Sequence, residues 1–156
     1  MNPQLVAAIA SAVSSVILLI SVIILVLQAR EVRRATYGQS FKTVYEILQA
    51  DDVREARGIV LRNLEGKQIN TWSEDEKKAA EKVCHTYDSV GIMIRSGMIP
   101  VQVVADSWGD SLRRSWRILA PLVASYRTQR NSAEFWDDYE WLAREADRYR
   151  RTIHSP

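Results

Sequence analysis

The sequence predicts an all-α protein in which one N-terminal transmembrane helix is followed by a four- to five-helix cytoplasmic bundle. Three observations predict this fold class. All 40 charged side chains, 21 Lys and Arg with 19 Asp and Glu, lie between Arg30 and Arg151. Only 6 Gly and 4 Pro occur among the 156 residues. Beyond Arg30 the apolar residues recur with the helical period of about 3.6 residues, and no run alternates as a strand would.

This division into an apolar and a charged part excludes several protein classes. The 127 residues from Arg30 onward carry all 40 charges, about 31%, which is high for a globular domain. A simple soluble enzyme, a multi-spanning transporter, a disulfide-stapled secreted domain and a disordered tail do not fit that pattern. We therefore divide the chain by residue number. The divisions are an anchor (1–29), a juxtamembrane helix (30–50), a helical cytoplasmic domain (51–151) and a tail (152–156).

Residues 5–27 form the predicted membrane span. These 23 residues are only Leu, Val, Ala, Ile and Ser. At about 1.5 Å per residue they reach about 34 Å, enough to cross a hydrocarbon core of about 30 Å. A cleaved signal peptide is the alternative, but its apolar core is about 7–15 residues long and follows positive residues, which are missing here. We expect an uncleaved anchor in the lipid bilayer.

Three arginines just after the span predict its orientation. Arg30, Arg33 and Arg34 follow the apolar segment, and no Lys or Arg precedes it. Because such residues accumulate on the cytoplasmic side, we expect a single pass through the inner (plasma) membrane with the N-terminus outside and the C-terminal domain in the cytoplasm. The alternative role of these arginines is contact with anionic lipid head groups.

Small residues recur at every fourth position in the first half of the span, at Ala7, Ser11 and Ser15. Such spacing lets two membrane helices approach closely, so these residues are candidates for self-association. Because Ala and Ser are common in membrane helices, composition alone is an equally good explanation.

The helices after the span are predicted from apolar residues that recur on one helix face and from residues that are typical of helix ends. A helix over 39–49 continues from the membrane helix, with Gly38 as a candidate kink. Asp51 or Asp52 is expected to cap a second helix that runs to about Leu64. Ser73 and Glu76 form a capping box that opens a third helix.

In the third helix Gly91 is expected to allow a close helix approach, and Gly97 is the expected stop. Pro100 opens a fourth helix, since proline is accepted in a first turn. Pro121 lies far inside this pattern and predicts a kink or break near residues 118–120. Asn131 or Ser132 is expected to cap the last helix.

The stretch from Phe41 to about Tyr149 resembles a bacterial family known only as a domain of unknown function. The similar features are the run 87–91 (Tyr-Asp-Ser-Val-Gly), residues 95–97, the segment 104–116, and 119–121 (Leu-Ala-Pro) followed by Arg127. The resemblance implies a single-span N-terminal anchor followed by a short helical cytoplasmic domain. It implies no activity and no catalytic residues.

Candidate catalytic and metal-binding residues are few. Cys84 and His85 are adjacent, but the chain has no CxxC, no HxxxH and no glycine-rich phosphate loop. The simpler interpretation is a buried reduced thiol beside a surface histidine. Four carboxylates lie close together in the last part of the chain, at Glu134, Asp137, Asp138 and Glu140. They suit a helix N-terminus better than a divalent cation, so we predict no metal, cofactor or catalytic site.

The most distinctive soluble feature is a basic segment that contains tryptophan. Residues 98–130 hold five arginines against two aspartates, a net of +3, whereas residues 131–142 hold four carboxylates and no base. Ion pairing between these two segments is the simplest expectation. Nucleic-acid binding is disfavoured because the whole chain is only +2. The candidate partner surface consists of Arg113, Arg114, Arg117, Trp116, Trp136 and Trp141, with a broad aromatic core as the alternative role of the tryptophans.

Two functions remain open from the sequence. The favoured one is a membrane-anchored interaction or scaffold module that binds a protein partner or forms a homo-oligomer, as a regulatory or accessory subunit of a membrane complex, with no small-molecule ligand. The alternative is a membrane-tethered effector or enzyme acting on nucleic acid or nucleotides in stress or phage defence. Convergence of Arg113, Arg117, Asp137 and Asp138 on one cleft would favour that alternative over ion pairing between the two helices.

Overall fold

The structure is a computed structural model that describes residues 3–153, except for the side chains of residues 3, 5–14, 33, 34 and 153. The described part of the chain forms five α-helices and one short 3₁₀ helix, without a strand. The α-helices are α1 (Pro3–Gln49), α2 (Asp51–Asn63), α3 (Glu74–Arg95), α4 (Val101–Arg130) and α5 (Asp137–Ile153), and the 3₁₀ helix is Ile69–Thr71. The predicted all-α class, with an apolar first helix before a helical bundle, is confirmed.

Helix α1 is continuous over 47 residues, as expected for a span that runs directly into the next helix. Its segment Ser15–Gln49 includes a stretch long and apolar enough to cross a membrane, with a mean hydropathy of 2.2 and none of that stretch buried. The side chains of residues 16–20 and 22–27 are between 47% and 67% exposed. A helix that is apolar on every side and has no protein around it is typical of a lipid-embedded segment.

The chain divides into two compact units, residues 1–39 and 40–156. The second unit contains the end of α1 together with the other four α-helices. Val44 and Leu48 of α1 are fully buried there, in one core with the apolar stripes of α2 to α5. Since Val44 and Leu48 are four residues apart, they lie on one face of the helix.

The ends of α3 follow the predicted signals. Ser73 caps the helix: its hydroxyl accepts the Glu76 N–H at 3.2 Å, and the Glu76 carboxylate accepts the Ser73 N–H at 2.8 Å. This reciprocal pair is the predicted capping box. Gly97 follows the helix end with φ +78°, and the Met98 N–H donates to the Met93 carbonyl at 3.2 Å. Glycine is suited to that left-handed position because it has no Cβ.

Helix α4 does not break at Pro121, so the break that was one of the two outcomes expected near residues 118–120 is wrong. The helix continues from Val101 to Arg130 with Pro121 inside it. Pro121 is exposed, whereas its neighbours Leu119, Leu122 and Val123 are buried. Burial of the opposite face therefore keeps the helix together across the hydrogen bond that proline cannot make.

The capping residues predicted for α2 and α5 are wrong. Ala50 is the residue before α2, while Asp51 and Asp52 lie inside its first turn. Asn131 instead ends α4, with φ +49°, and residues 133–136 form turns before α5 begins at Asp137. Asparagine tolerates this left-handed conformation better than most residues, so it ends one helix here instead of starting the next. Of the predicted tail, Thr152 and Ile153 belong to α5, and residues 154–156 lie outside the described residues.

Candidate functional site

A cavity of about 520 Å³ lies between α4 and α5, and arginines dominate its lining. The lining residues are Arg113, Trp116 and Arg117 from α4 and Ala143, Arg144, Asp147, Arg148, Arg150 and Arg151 from α5. Residues three or four positions apart share a helix face, so each helix directs one such face toward this cavity. We call this site the arginine cavity.

The arginine cavity is strongly positive. Six arginines against one aspartate give its lining an excess of five positive charges. Three further carboxylates, those of Asp110, Glu140 and Glu145, pair with lining arginines from outside the cavity. Even when these three are counted, two positive charges remain in excess. The site is therefore suited to an anion.

Arg113 is the least exposed of the ion-paired arginines in the cavity. Its side chain is 15% exposed and forms an ion pair with Asp110 at 3.5 Å. Its Nη1 also donates to the carbonyl oxygen of Ala146 on α5 at 3.3 Å. These contacts hold the guanidinium in place and leave some of its five N–H donors for a ligand.

Most of the α5 arginines in the lining are exposed and form ion pairs within their own helix. Three of them contact carboxylates one turn earlier on α5: Arg144 pairs with Glu140, Arg148 with Glu145 at 2.6 Å, and Arg151 with Asp147 at 2.7 Å. Because these arginines are 63%, 74% and 80% exposed, they stay accessible to an incoming anion, and pairs with so exposed a partner contribute only about 0–1 kcal/mol. Arg117 is exposed and forms no ion pair with the residues that the structure describes.

Trp116 provides the aromatic part of the cavity. Its ring lies 5.0 Å from that of Tyr139, centroid to centroid, at an interplanar angle of 81°. Tyr139 is fully buried and stacks on Tyr87 at 5.1 Å. This edge contact with the buried core positions the half-buried indole at the cavity wall.

The candidate partner surface is brought together only in part. Arg113, Trp116 and Arg117 line the arginine cavity. Arg114 lies outside that lining and pairs with Glu65 at 3.4 Å. The four arginines that α5 contributes were missed, although their spacing along the polar face of the last helix was the available signal.

The remaining two tryptophans of the candidate surface lie elsewhere. Trp136 is only 3% exposed and packs against Phe135 and His85, so it belongs to the aromatic core and not to an exposed surface. Trp141 is half-buried, with the Arg95 guanidinium 5.3 Å from its ring centroid. The alternative role, a core aromatic residue, therefore applies to Trp136.

An acidic group forms at the start of α5. Carboxylate oxygens of Asp88, Asp137 and Asp138 lie within 4.8 Å of one another. Arg95 pairs with Asp137 at 3.2 Å and with Asp138 at 2.7 Å. Burial raises the pKa of Asp88, and the charges of Asp138 and Asp137 add to this effect. Acidic residues in a first helical turn also interact favourably with the helix dipole.

The ion pairing expected between the basic and acidic segments occurs at Arg127. Its Nη1 donates to Glu140 at 2.7 Å, and its Nε donates to the Phe135 carbonyl oxygen at 2.9 Å. Burial by itself would raise the pKa of Glu140, but the hydrogen bonds from Arg127 and Arg144 outweigh it and lower that pKa. This contact joins the end of α4 to α5.

Cys84 and His85 have the simple roles that the sequence favoured. Cys84 is fully buried, and burial, together with the charges of Asp88 and Glu81, raises the pKa of its thiol well above the ordinary value. Such a thiol is unreactive at neutral pH. His85 is exposed, and its Nδ1 accepts the indole N–H of Trp136 at 3.2 Å.

The predicted residues of the membrane segment are described only in part. Ser15 and Arg30 lie on α1 and are exposed. The side chains of Ala7, Ser11, Arg33 and Arg34 lie outside the described part of the structure.

Comparison with known proteins identifies a family and no characterised relative. No curated protein and no solved structure matches this sequence. The family model described as "Domain of unknown function (DUF4760)" matches residues 9–146. This match includes most of the apolar helix and almost all of the bundle, and it confirms the resemblance to a family of unknown function. The chain belongs to the DUF4760 family.

Proposed function

We propose that this protein is a membrane-anchored helical module that works by binding, as a regulatory or accessory subunit of a membrane complex. The observation that carries the proposal is the arginine cavity, in which six arginines and Trp116 gather on one side of a packed bundle. Arginine and tryptophan are enriched at the residues that dominate binding energies. The bundle supplies the rigid support that such a site requires.

The membrane part of the proposal is a single pass in the inner (plasma) membrane with the bundle in the cytoplasm. It is supported by the exposed apolar side chains of residues 16–27 and by the arginines at positions 30, 33 and 34. Positive residues remain on the cytoplasmic side during insertion. We also propose that the spans self-associate through Ala7, Ser11 and Ser15, because small residues at this spacing permit close helix contact.

The orientation predicts which side of the membrane carries the C-terminus. In sealed inverted vesicles a C-terminal epitope tag should be removed by added protease, and in right-side-out vesicles it should be protected. A variant with Arg30, Arg33 and Arg34 replaced by Asn, and with three Lys added before the span, should reverse this pattern. Protease removal of the wild-type tag from right-side-out vesicles would contradict the proposed topology.

The binding role predicts partners that depend on the arginine cavity. Membrane complexes should be cross-linked in cells, extracted in detergent and isolated through the tagged chain. The double variant Arg117→Glu and Arg148→Glu should lose most of the partner recovered with the wild type, because it reverses two cavity charges that make no buried contact. Recovery of the same partner in the same amount would contradict a binding role for this cavity.

The matched control is the double variant Arg54→Glu and Arg62→Glu, which makes the same charge change on exposed residues of α2. It should retain the partner. A chain that is always monomeric and isolated alone would contradict the proposal as a whole.

A cleft shared by Arg113 and Arg117 with Asp137 and Asp138 would favour the alternative function on nucleic acid or nucleotides. Asp137 and Asp138 instead pair with Arg95 and are not among the residues that line the arginine cavity. We therefore do not propose an effector or enzymatic activity on nucleic acid or nucleotides as a second function.

A further inference from the structure

We propose that the arginine cavity binds a small soluble molecule that carries two or more adjacent phosphate groups, and that this molecule is a nucleoside polyphosphate. This inference deepens the proposed function and depends on it, because it assigns a ligand class to the same site. It also replaces the expectation that the chain binds no small molecule.

The size of the cavity fits such a ligand. Its volume of about 520 Å³ lies in the range of about 300–1,000 Å³ that is typical of small-molecule sites. The lining comes from two helices whose buried residues belong to one core, among them Leu112 of α4 and Leu142 and Ala146 of α5. The walls of the cavity are therefore supported by buried contacts on both sides.

The charges of the cavity favour neighbouring phosphates over a single carboxylate. Even when the three outside carboxylates that pair with lining arginines are counted, two positive charges remain in excess, more than one carboxylate can balance. Planar guanidinium groups donate two parallel hydrogen bonds to phosphate oxygens, and several arginines around one concave site suit a chain of phosphates. Arg113 belongs to this lining, and its hydrogen bond to the Ala146 carbonyl oxygen limits the freedom of its guanidinium group.

A simpler account of the arginines is incomplete. Cations near the end of α5 complement the negative end of the helix dipole, which accounts for Arg150 and Arg151. The dipole of α5 does not account for Arg113 and Arg117, which lie in the middle of α4. The dipole also does not explain why the arginines of α4 and those of α5 line the same cavity.

Trp116 favours a nucleotide among the molecules that carry several phosphates. It is an aromatic side chain in the lining, and its position is set by the contact with buried Tyr139. Bases stack on tryptophan in a sequence-tolerant way wherever arginines hold the phosphates nearby. The combination of one indole with six guanidinium groups therefore fits a base joined to a polyphosphate.

The test is binding by the full-length protein in nanodiscs of phosphatidylcholine. ATP and GTP should bind, AMP should bind at least about tenfold more weakly, and affinity should fall as salt is raised, because the contacts are charged. The Arg117→Gln and Arg148→Gln double variant should lose at least about tenfold in ATP affinity. The Arg54→Gln and Arg62→Gln control should bind ATP as the wild type does.

Inorganic tripolyphosphate has no base, so it tests the role of the arginines separately from that of Trp116. Trp116→Leu should weaken ATP binding and leave tripolyphosphate binding unchanged, whereas the arginine double variant should weaken both. If Trp116→Leu fails to fold, as judged by its circular dichroism, the arginine variants still decide the question. Equal binding of ATP by the Arg117→Gln, Arg148→Gln variant and the wild type would overturn the proposal.

A second arm distinguishes a soluble ligand from a lipid head group. Phosphatidylglycerol vesicles are added to the same nanodiscs, and association is measured by flotation. Association that requires Arg117 and Arg148, without any binding of ATP or GTP, would assign the cavity to lipid phosphates and overturn the nucleotide assignment. Absence of nucleotide binding together with Arg117-dependent recovery of a protein partner would also overturn it, but would leave the proposed binding function intact.

Discussion

Gly91→Ala is expected to lower the free energy of unfolding of the bundle by about 3 kcal/mol, because the new methyl group would overlap the backbone of α5. A Cβ at position 91 would lie 2.5 Å from the carbonyl oxygen of Asp138 and 2.8 Å from its carbonyl carbon. A side chain can change rotamer to avoid a contact, but the backbone at the start of α5 cannot. Either α3 and α5 must separate or the first turn of α5 must shift away from Asp88, whose carboxylate accepts the Tyr139 N–H at 3.1 Å.

Gly58→Ala is the matched control for this prediction. Its new Cβ would lie 2.9 Å from Nη2 of Arg62, the end of a flexible side chain that can move away. Because alanine favours a helix over glycine by up to about 1 kcal/mol, this variant should be neutral or slightly more stable. Urea unfolding followed by circular dichroism, with the protein in detergent, measures both. Equal stability of the two variants would show that α3 and α5 do not approach this closely at Gly91.

Trp136→Ala is expected to cost about 3–5 kcal/mol of stability, the usual range for removal of a large buried aromatic side chain. Trp136 is 3% exposed, and its ring centroid lies 4.2 Å from that of Phe135 and 5.3 Å from that of Tyr126. Its N–H donates to His85. It has φ +57°, a conformation that bulky residues rarely adopt, so its packing must outweigh the local backbone strain.

Trp141→Ala is the control, since Trp141 lies on the same part of the chain but is only half-buried. It loses a contact with the Arg95 guanidinium at 5.3 Å and part of its packing against the core, for which we expect about 2 kcal/mol in all. Unfolding is again followed by circular dichroism, because the substitutions change the tryptophan fluorescence itself. Similar losses for the two variants would contradict the placement of Trp136 in the core.

Local signals in the sequence were sufficient for most of the helices. The capping box of Ser73 and Glu76 and the stop at Gly97 act within a few residues, so spacing alone identifies them. The break expected near Pro121 and the helix start expected at Asn131 were wrong, because both depend on contacts beyond the local sequence. Whether a helix continues through proline depends on what the other face buries, and whether asparagine starts or ends a helix depends on the conformation that its neighbours impose.

Some residues of the candidate site could likewise be predicted from the sequence, and others could not. Arg113, Trp116 and Arg117 were identified because they are close in sequence on one helix face. Arg148 and the other α5 arginines were not identified. The helical period shows which residues of α5 share a polar face, but not which other helix that face will lie beside. For Trp136 both a surface role and a core role stayed open, since its position in a turn before α5 has no periodicity from which burial could be predicted.

The sequence by itself determined the apolar helix, the all-α class and the excess of arginine between residues 98 and 130. These properties follow from the composition and from the helical period of the apolar residues. Both can be read from the sequence without knowing which distant residues are in contact. Only the tertiary structure decided that α5 brings its arginines to those of α4 around one cavity, and that Asp137 and Asp138 pair with Arg95 instead. Such pairings depend on how helices cross and at which depth each side chain lies, so they arise only when the core packs.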